Sequence, residues 1–282
     1  MTRKSLKDKR PVSSSLDEIQ EMLRPLMDDP GGTAIFLDLD GTLAPIMPRP
    51  DDVAVPPQIS RLIRKLERRY LAVTVVSGRP ATAAKRIAGN SEIAYIGNHG
   101  FETMLPGHAV MVCAEAQPYV AKVKELMEYA RALPEMVDSG IWLEDKTATM
   151  SFHFRRAPDH DETLAFIKKT FFPKIEALGL VAREGRKVIE VKPPVDIDKG
   201  AAVGALMDRL GVKKALYAGD DTTDIDALKE LRKRKRRKDT VVVGVGVISD
   251  EMPSELPRYA DLLVERISGM ELVLQLLAGE EL

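Results

Sequence analysis

Apolar residues fall along this chain in two kinds of pattern. From Thr33 onward, short continuously apolar runs each end in small and polar residues. Residues 34–39 run into Asp40-Gly41-Thr42, and 71–76 into Ser77-Gly78-Arg79-Pro80. Residues 93–96 run into Gly97-Asn98-His99-Gly100, and 215–218 into Gly219-Asp220-Asp221; 241–247 is the most strand-like stretch. Between them, Ile59-Ile63-Leu66 and Ala201-Leu206-Leu210 recur at helical spacing. Buried apolar strands alternating with helices predict an α/β fold with a parallel sheet covered on both faces. Ligands bind such sheets beyond the carboxyl ends of the strands, which is where the polar residues sit.

The middle of the chain, roughly 108–191, reads differently. Helical stretches at 119–133 and 162–178 accompany strands in which polar and apolar residues alternate. In 147–154, Ala148, Met150, Phe152 and Phe154 share one face, which predicts a sheet covered on one side and open on the other. Inserted within an α/β core, such a sheet would suit a lid over the core's binding edge. Ahead of the core, Leu16, Ile19, Leu23 and Leu26 predict a short helix lying on the main body, followed by Pro30-Gly31-Gly32. The basic run 232–238 (RKRKRRK) is read as a solvated helix end or loop rather than a nucleic-acid patch.

Composition narrows the classes. Across 282 residues, 44% are apolar and 30% charged, with a net charge of -1, as in an ordinary folded domain. Balanced charge gives no general attraction to nucleic acid or membrane, and no apolar run approaches the roughly 18 residues of a membrane span. The single cysteine, Cys113, excludes an internal disulfide and a multi-cysteine zinc site. Residues 1–10 are charged and lack a secretory apolar stretch, so a cytoplasmic protein is expected.

Asp38 and Asp40 are the first chemical anomaly. A carboxylate at the end of a buried strand is costly unless a metal, a cation or donors compensate it. Residues two apart on a strand project to the same side, Gly41 permits a tight turn, and Thr42 offers a hydroxyl. Asp220, Asp221 and Asp224 form a second acidic cluster after another apolar strand, and parallel strands would bring both clusters to one edge. Oxygen ligands without Cys or His favour a hard ion, and few protein ligands favour Mg²⁺ over Ca²⁺. Ser77 at a strand end and Lys199 at the start of a helix would complete a cradle for a phosphoryl group. An aspartate nucleophile suits that chemistry.

Taken in order, Asp38-x-Asp40-Gly-Thr, Ser77, Lys199 and Gly219-Asp220-Asp221-x-x-Asp224 resemble the four motifs of the haloacid-dehalogenase superfamily of phosphatases. The stretches DLDGTLAPI, VVSGRP, GNHGFE, LEDKTATMSFHFR, GRKVIEVKPPVDIDKG and YAGDDTTDIDAL span nearly all of 33–228 and resemble trehalose-6-phosphate phosphatases. The resemblance implies a Rossmann-like parallel-sheet core (33–107 and 192–282), an inserted α+β cap (108–191) and an N-terminal extension (1–32). It implies Mg²⁺-dependent hydrolysis of a sugar phosphate, most simply trehalose 6-phosphate, by a monomer without nucleic-acid or membrane partners. Asp38 would be the nucleophile and Asp40 the general acid and then base. Ser77 and Lys199 would hold the phosphoryl oxygens. Mg²⁺ would lie on Asp38, the Asp40 carbonyl and Asp220, with Asp221 and Asp224 as further acids.

Glu144, Lys146 and Glu190 match cap positions that contact the sugar in this family. Arg79, Asn98, His99 and Arg155 are further substrate candidates; His99 also reads as a structural histidine in a Gly-bounded turn, and Arg155 as a solvated strand end. Trp142 is expected in the core rather than as a sugar platform. The family often carries Glu where this chain has Ile225, with Asp226 following. Alternatives are a phosphatase for sucrose phosphate or a glycosyl phosphoglycerate, a silent regulatory partner of a sugar-phosphate synthase, or a nucleic-acid binder acting through 232–238.

Overall fold

The computed structural model describes residues 12–47, 49 and 52–280. Residues 1–11 of the predicted extension lie outside the described residues. The chain divides into two units, one running to Val110 and resuming at Ile197, the other Met111–Asp196. The first unit begins with α1 (Leu16–Met27), β1 (Thr33–Asp38), α2 (Pro57–Arg69), β2 (Ala72–Val76), α3 (Ala81–Ala88), β3 (Ala94–Gly97) and β4 (Glu102–Met104). The second holds β5 (Met111–Val112), α4 (Val120–Ala132), β6 (Trp142–Lys146), β7 (Thr149–His153), α5 (His160–Ala177), β8 (Val181–Gly185) and β9 (Val188–Lys192). The first then resumes with α6 (Lys199–Leu210), β10 (Lys214–Gly219), α7 (Asp224–Arg234), β11 (Val241–Ile248), β12 (Leu262–Glu265) and α8 (Arg266–Ala278).

Within the first unit the strands lie in the order β12-β11-β10-β1-β2-β3-β4. All pairs are parallel except β3 with β4. Every residue of β1 is buried, because its side chains alternate between two apolar layers. Ile35 and Leu37 join Leu23 of α1, Leu62 of α2, Ala84 of α3 and Leu274 of α8. Ala34 and Phe36 join Met207 of α6 and Leu228 of α7. The chain moves outward from β1 through β2 to β3, then starts again at β10 and moves outward the other way. The ends of β1 and β10 therefore flank the topological switch point, where doubly wound sheets bind ligands. Register keeps these ends level: Asp38 pairs with Val76, and Leu37 with Ala218.

Some sequence expectations need adjustment. Leu16 of α1 is exposed, whereas Ile19, Leu23 and Leu26 are buried in the cluster that contains β1 and β10. On α6 the buried stripe is Val203, Leu206 and Met207. Leu210 is exposed, because the helix is followed immediately by the left-handed Gly211. The basic run is not uniformly solvated. Arg234 is buried, bonding Asp208, Glu230 and the Gly204 carbonyl, and Lys235 reaches Asp261 at 2.6 Å.

In the second unit the antiparallel sheet runs β6-β7-β9-β8. Met150 and Phe152 face Leu126 and Met127 of α4 and Ile167 and Phe171 of α5. The predicted strand at 147–154 starts only at Thr149, since Thr147 has φ 62° in the hairpin turn. On the other face Thr149 and Ser151 are buried, so that face is not uniformly open as expected. Cross-strand pairing places the short Ser151 between the longer Glu144 and Glu190. Trp142 is not in the core: it is 57% exposed, because alternation along edge strand β6 turns Leu143 inward and Trp142 to the opposite face. No helix among the described residues is long and apolar enough to cross a membrane.

Leu23→Ala should cost about 2–5 kcal/mol of stability, as core truncations do. Leu16→Ala on the same helix should stay within about 0.5 kcal/mol. Urea unfolding of both variants measures the difference.

Candidate active site

The two acidic clusters of the sequence meet at the switch point. Asp38 is the last residue of β1, Asp220 follows β10, and Asp224 opens α7. One ligand oxygen from each lies within 4.8 Å of the others, and all three residues are buried. Lys199, the first residue of α6, is also buried, and its Nζ lies 2.6 Å from both Asp38 Oδ1 and Asp224 Oδ1. That position is set by the helix start, where Asp198 Oδ1 accepts the Ala201 N–H, as an N-cap does.

Asp224 is saturated. Its Oδ1 accepts from Lys199 and the Tyr217 hydroxyl, and its Oδ2 accepts the backbone N–H groups of Asp220 and Asp221. It therefore shapes the β10–α7 loop and fixes the lysine. Tyr217 is a site residue that sequence reasoning missed. Its signal is a hydroxyl-bearing ring in an otherwise small and aliphatic buried strand. Burial, and then the Asp224 charge, push its pKa well above the usual value, so the ring acts as a neutral donor.

Burial is also the largest influence on the acids. With Asp224 it pushes the Asp38 carboxyl well above the ordinary range, against the pull of Lys199. Burial, then the charges of Asp224 and Asp221, raise Asp220 to about 7. For Lys199 burial opposes the ammonium, but Asp224 and Asp38 outweigh it and raise its pKa. With all three carboxyls ionised, one ammonium leaves two negative charges uncompensated. An all-oxygen donor set with that charge fits a divalent cation. Gly41 makes the fit possible: it has φ 87°, and a Cβ there would lie 2.1 Å from Asp220 Oδ2. Thr42 donates to Asp220 Oδ1 at 3.3 Å.

Asp40 and Asp221 do not belong to the buried three-carboxylate group. Asp40 turns toward Arg79, whose Nε and Nη2 donate to its Oδ2 and Oδ1 at 2.8 and 2.7 Å. Asp221 is exposed, with Oδ1 accepting the Thr222 N–H. Ser77 is buried, and its Oγ accepts the Arg79 N–H at 3.1 Å, leaving the hydroxyl proton to donate.

Asn98 and His99 brace this loop from behind. The Asn98 N–H donates to the Arg79 carbonyl and the His99 N–H to the Ser77 carbonyl. Both residues are in the left-handed region, with φ 51° and 55°. A Cβ on Gly78 would lie 2.4 Å from His99 Cε1, so the imidazole packs directly on that glycine. Ile225 lies in the apolar layer beneath α7.

In the second unit, Glu144, Ser151 and Glu190 occupy one row across β6, β7 and β9. Glu144 accepts from His153 Nε2 at 2.9 Å and lies 3.4 Å from Lys146 Nζ. Burial alone would raise the Glu144 pKa, but His153 and Lys146 bring it below the usual value. Arg155 is exposed beyond the end of β7.

Comparison with known proteins fixes the family. Residues 36–259 match the trehalose-phosphatase family model. The chain belongs to the trehalose-phosphatase family. It is 30% identical over 263 residues to "Probable trehalose-phosphate phosphatase H" of Arabidopsis thaliana, covering 86% of this chain and 70% of that protein. It is 29% identical to "Probable trehalose-phosphate phosphatase 4" of Oryza sativa subsp. japonica, covering 78% of this chain and 59% of the relative. The C-terminal domain of C. albicans trehalose-6-phosphate phosphatase shares the fold. That likeness has a TM-score of 0.67 at 20% identity and covers 97% of this chain and all of the other. The trehalose-phosphatase chain is thus a phosphatase with a haloacid-dehalogenase fold, a class that uses a divalent metal.

The raised carboxyls fix the sign of a pH effect in this phosphatase. A carboxyl that binds its proton more tightly folded than unfolded loses stabilisation as pH rises from about 4, its unfolded pKa, to about 7, where Asp220 titrates in the folded chain. In EDTA, the protein should melt roughly 5 °C lower at pH 8 than at pH 5.5. Added Mg²⁺ should raise the midpoint more at pH 8, because it competes with the proton. Lys199→Met should destabilise the EDTA-treated protein by about 3–5 kcal/mol at pH 8 and by less at pH 5.5. Calorimetry in EDTA and in Mg²⁺ reads both effects.

Proposed function

We propose that this chain hydrolyses trehalose 6-phosphate to trehalose and inorganic phosphate, using Mg²⁺ and an aspartyl-phosphate intermediate on Asp38. The observation that carries this reading is the buried Asp38–Lys199–Asp224 linkage beside Asp220 at the switch point of a trehalose-phosphatase chain. Mg²⁺ suits the few protein oxygens available, because it retains water ligands. Asp38, Asp220 and the Asp40 carbonyl would hold it, with Asp221 and Asp224 behind them. When bound, the ion neutralises charge and orients nucleophile and phosphoryl group.

Asp38 Oδ attacks phosphorus, and the ester P–O bond to the sugar breaks. A sugar alkoxide is a poor leaving group, so Asp40 delivers a proton to it, a contribution of typically ~10²–10⁴-fold. Water then attacks the aspartyl phosphate, Asp40 takes up its proton, and phosphate leaves with Asp38 restored. Ser77 and Lys199 donate to the phosphoryl oxygens. In the structure both Asp40 oxygens receive Arg79 N–H groups, so the proton transfer requires that pair to open, which frees the guanidinium for the phosphoryl group. Asn98 and His99 act through their brace on the Ser77 loop. Glu144, Lys146 and Glu190 bind the sugar hydroxyls.

Phosphate release from trehalose 6-phosphate, sucrose phosphate, a glycosyl phosphoglycerate and glucose 6-phosphate tests the substrate. Release should be selective for trehalose 6-phosphate, stop in EDTA, and fall by roughly 10³-fold or more in Asp38→Asn. Full activity of that variant would refute the nucleophile. Glu144→Ala and Lys146→Ala should each lower kcat/KM for the sugar phosphate by roughly 10–100-fold and spare p-nitrophenyl phosphate. Equal losses on both substrates would remove the sugar role.

A further inference from the structure

An exposed tryptophan is an unusual surface residue, because a large apolar ring loses most by remaining in water. Trp142 is 57% exposed on edge strand β6. Its ring stacks on His153, with centroids 4.9 Å apart and an interplanar angle of 30°. His153 is in turn held by Glu144 Oε2 at 2.9 Å. The imidazole thus backs one face of the indole and links it to an acid already placed among the sugar-binding residues.

Register puts Trp142 on the same sheet face as those residues. Trp142 pairs with His153 and His153 with Val188, forming one row; Glu144, Ser151 and Glu190 form the next. Two residues along a strand correspond to about 7 Å, a separation comparable to that of neighbouring rings in a disaccharide. One row carries carboxylates suited to hydroxyls. The other carries a flat apolar surface suited to the C–H face of a pyranose. Small-molecule sites combine these two features, apolar walls with a few placed polar groups.

A disaccharide monophosphate has one ring that carries the phosphate and one that does not. The second ring has no charge to be recognised, so its binding depends on hydroxyl bonds and ring contact. We infer that Trp142, backed by His153, is the stacking platform for the unphosphorylated ring and gives this chain its preference for a disaccharide phosphate over a monosaccharide phosphate. The inference rests on the sugar-phosphate reading above and adds to it a specificity residue.

Trp142 is the only tryptophan in the chain, so its fluorescence reports on this position alone. The full-length Asp38→Asn protein, which should bind without turnover, is titrated in Mg²⁺ with trehalose 6-phosphate and with glucose 6-phosphate. Trehalose 6-phosphate should give a saturable change in emission, and glucose 6-phosphate at the same occupancy should give little. In the otherwise native enzyme, Trp142→Ala should raise KM for trehalose 6-phosphate roughly ten-fold, with kcat within about two-fold. It should leave KM for glucose 6-phosphate and p-nitrophenyl phosphate unchanged. Trp142→Phe, which keeps a ring, should recover most of the loss.

Equal effects of Trp142→Ala on all three substrates would mark a structural role and overturn the inference. So would silent emission in Asp38→Asn while the native enzyme turns over trehalose 6-phosphate; the function proposed above would then stand. Absence of turnover with every disaccharide phosphate would overturn both.

Discussion

A single buried ammonium organises the first unit. Lys199 bridges Asp38 and Asp224, which come from the ends of different elements, and so ties β1, α6 and α7 together at one point. Ion pairs removed from water are weak contributors to net stability, but breaking one by deleting a partner is costly. The arrangement is therefore intolerant of loss without being a large source of stability. Much of the local geometry follows from it. Asp224 must accept four donors, so Tyr217 carries a hydroxyl in a buried strand and the β10–α7 loop aims two N–H groups inward. Gly41 must lack a side chain because Asp220 occupies that space. The clustered carboxylates of Asp38, Asp220 and Asp224 form a donor set that fits a divalent cation.

Around this fixed centre the loops are held by backbone rather than by charge. The Ser77–Arg79 loop is tied from behind by two N–H groups of the Asn98-His99 turn, in a conformation that residues with side chains adopt infrequently. Local strain of this kind persists only where surrounding structure over-determines it, and here the His99 ring seated on Gly78 supplies that constraint. The loop in turn positions Arg79 for its two-pronged contact with Asp40. A phosphoryl group is recognised best by donors that do not have to reorganise when charge develops, and a loop locked by main-chain bonds meets that requirement.

The core strands were legible because each runs apolar along its whole length and stops at polar residues, and the acidic clusters because carboxylates next to buried strands need explanation. What remained hidden was pairing. Sequence spacing does not show that Asp224 spends one oxygen on Tyr217 and Lys199, or that Asp40 faces Arg79, because those partners lie 7 to 39 positions away along the chain. Arg234 illustrates the same limit: inside a basic run it reads as solvent-facing, yet Asp208 and Glu230 draw it into burial. Trp142 failed for a different reason. Residue type alone favours the core, and only the alternation with Leu143 on an edge strand decides the side. The α6 stripe drifted because three apolar positions fit more than one helical face, and Gly211 sets where the helix stops.

The two units solve different chemical problems with different sheets. A parallel sheet buried on both faces can hold charge only at its strand ends, so its reactive groups are few and mutually dependent. An antiparallel strand presents alternate residues to opposite sides, so β6 gives Leu143 to the α4–α5 core while Trp142, Glu144 and Lys146 remain on the other face. Substitutions on that face leave the packing of Met150, Phe152 and Phe171 untouched. Under the proposed function, changes there would alter which sugar is accepted at little cost to folding. Changes among Asp38, Lys199 and Asp224 break buried bonds that tie β1, α6 and α7 together, so under the proposed function they would strike chemistry and stability together.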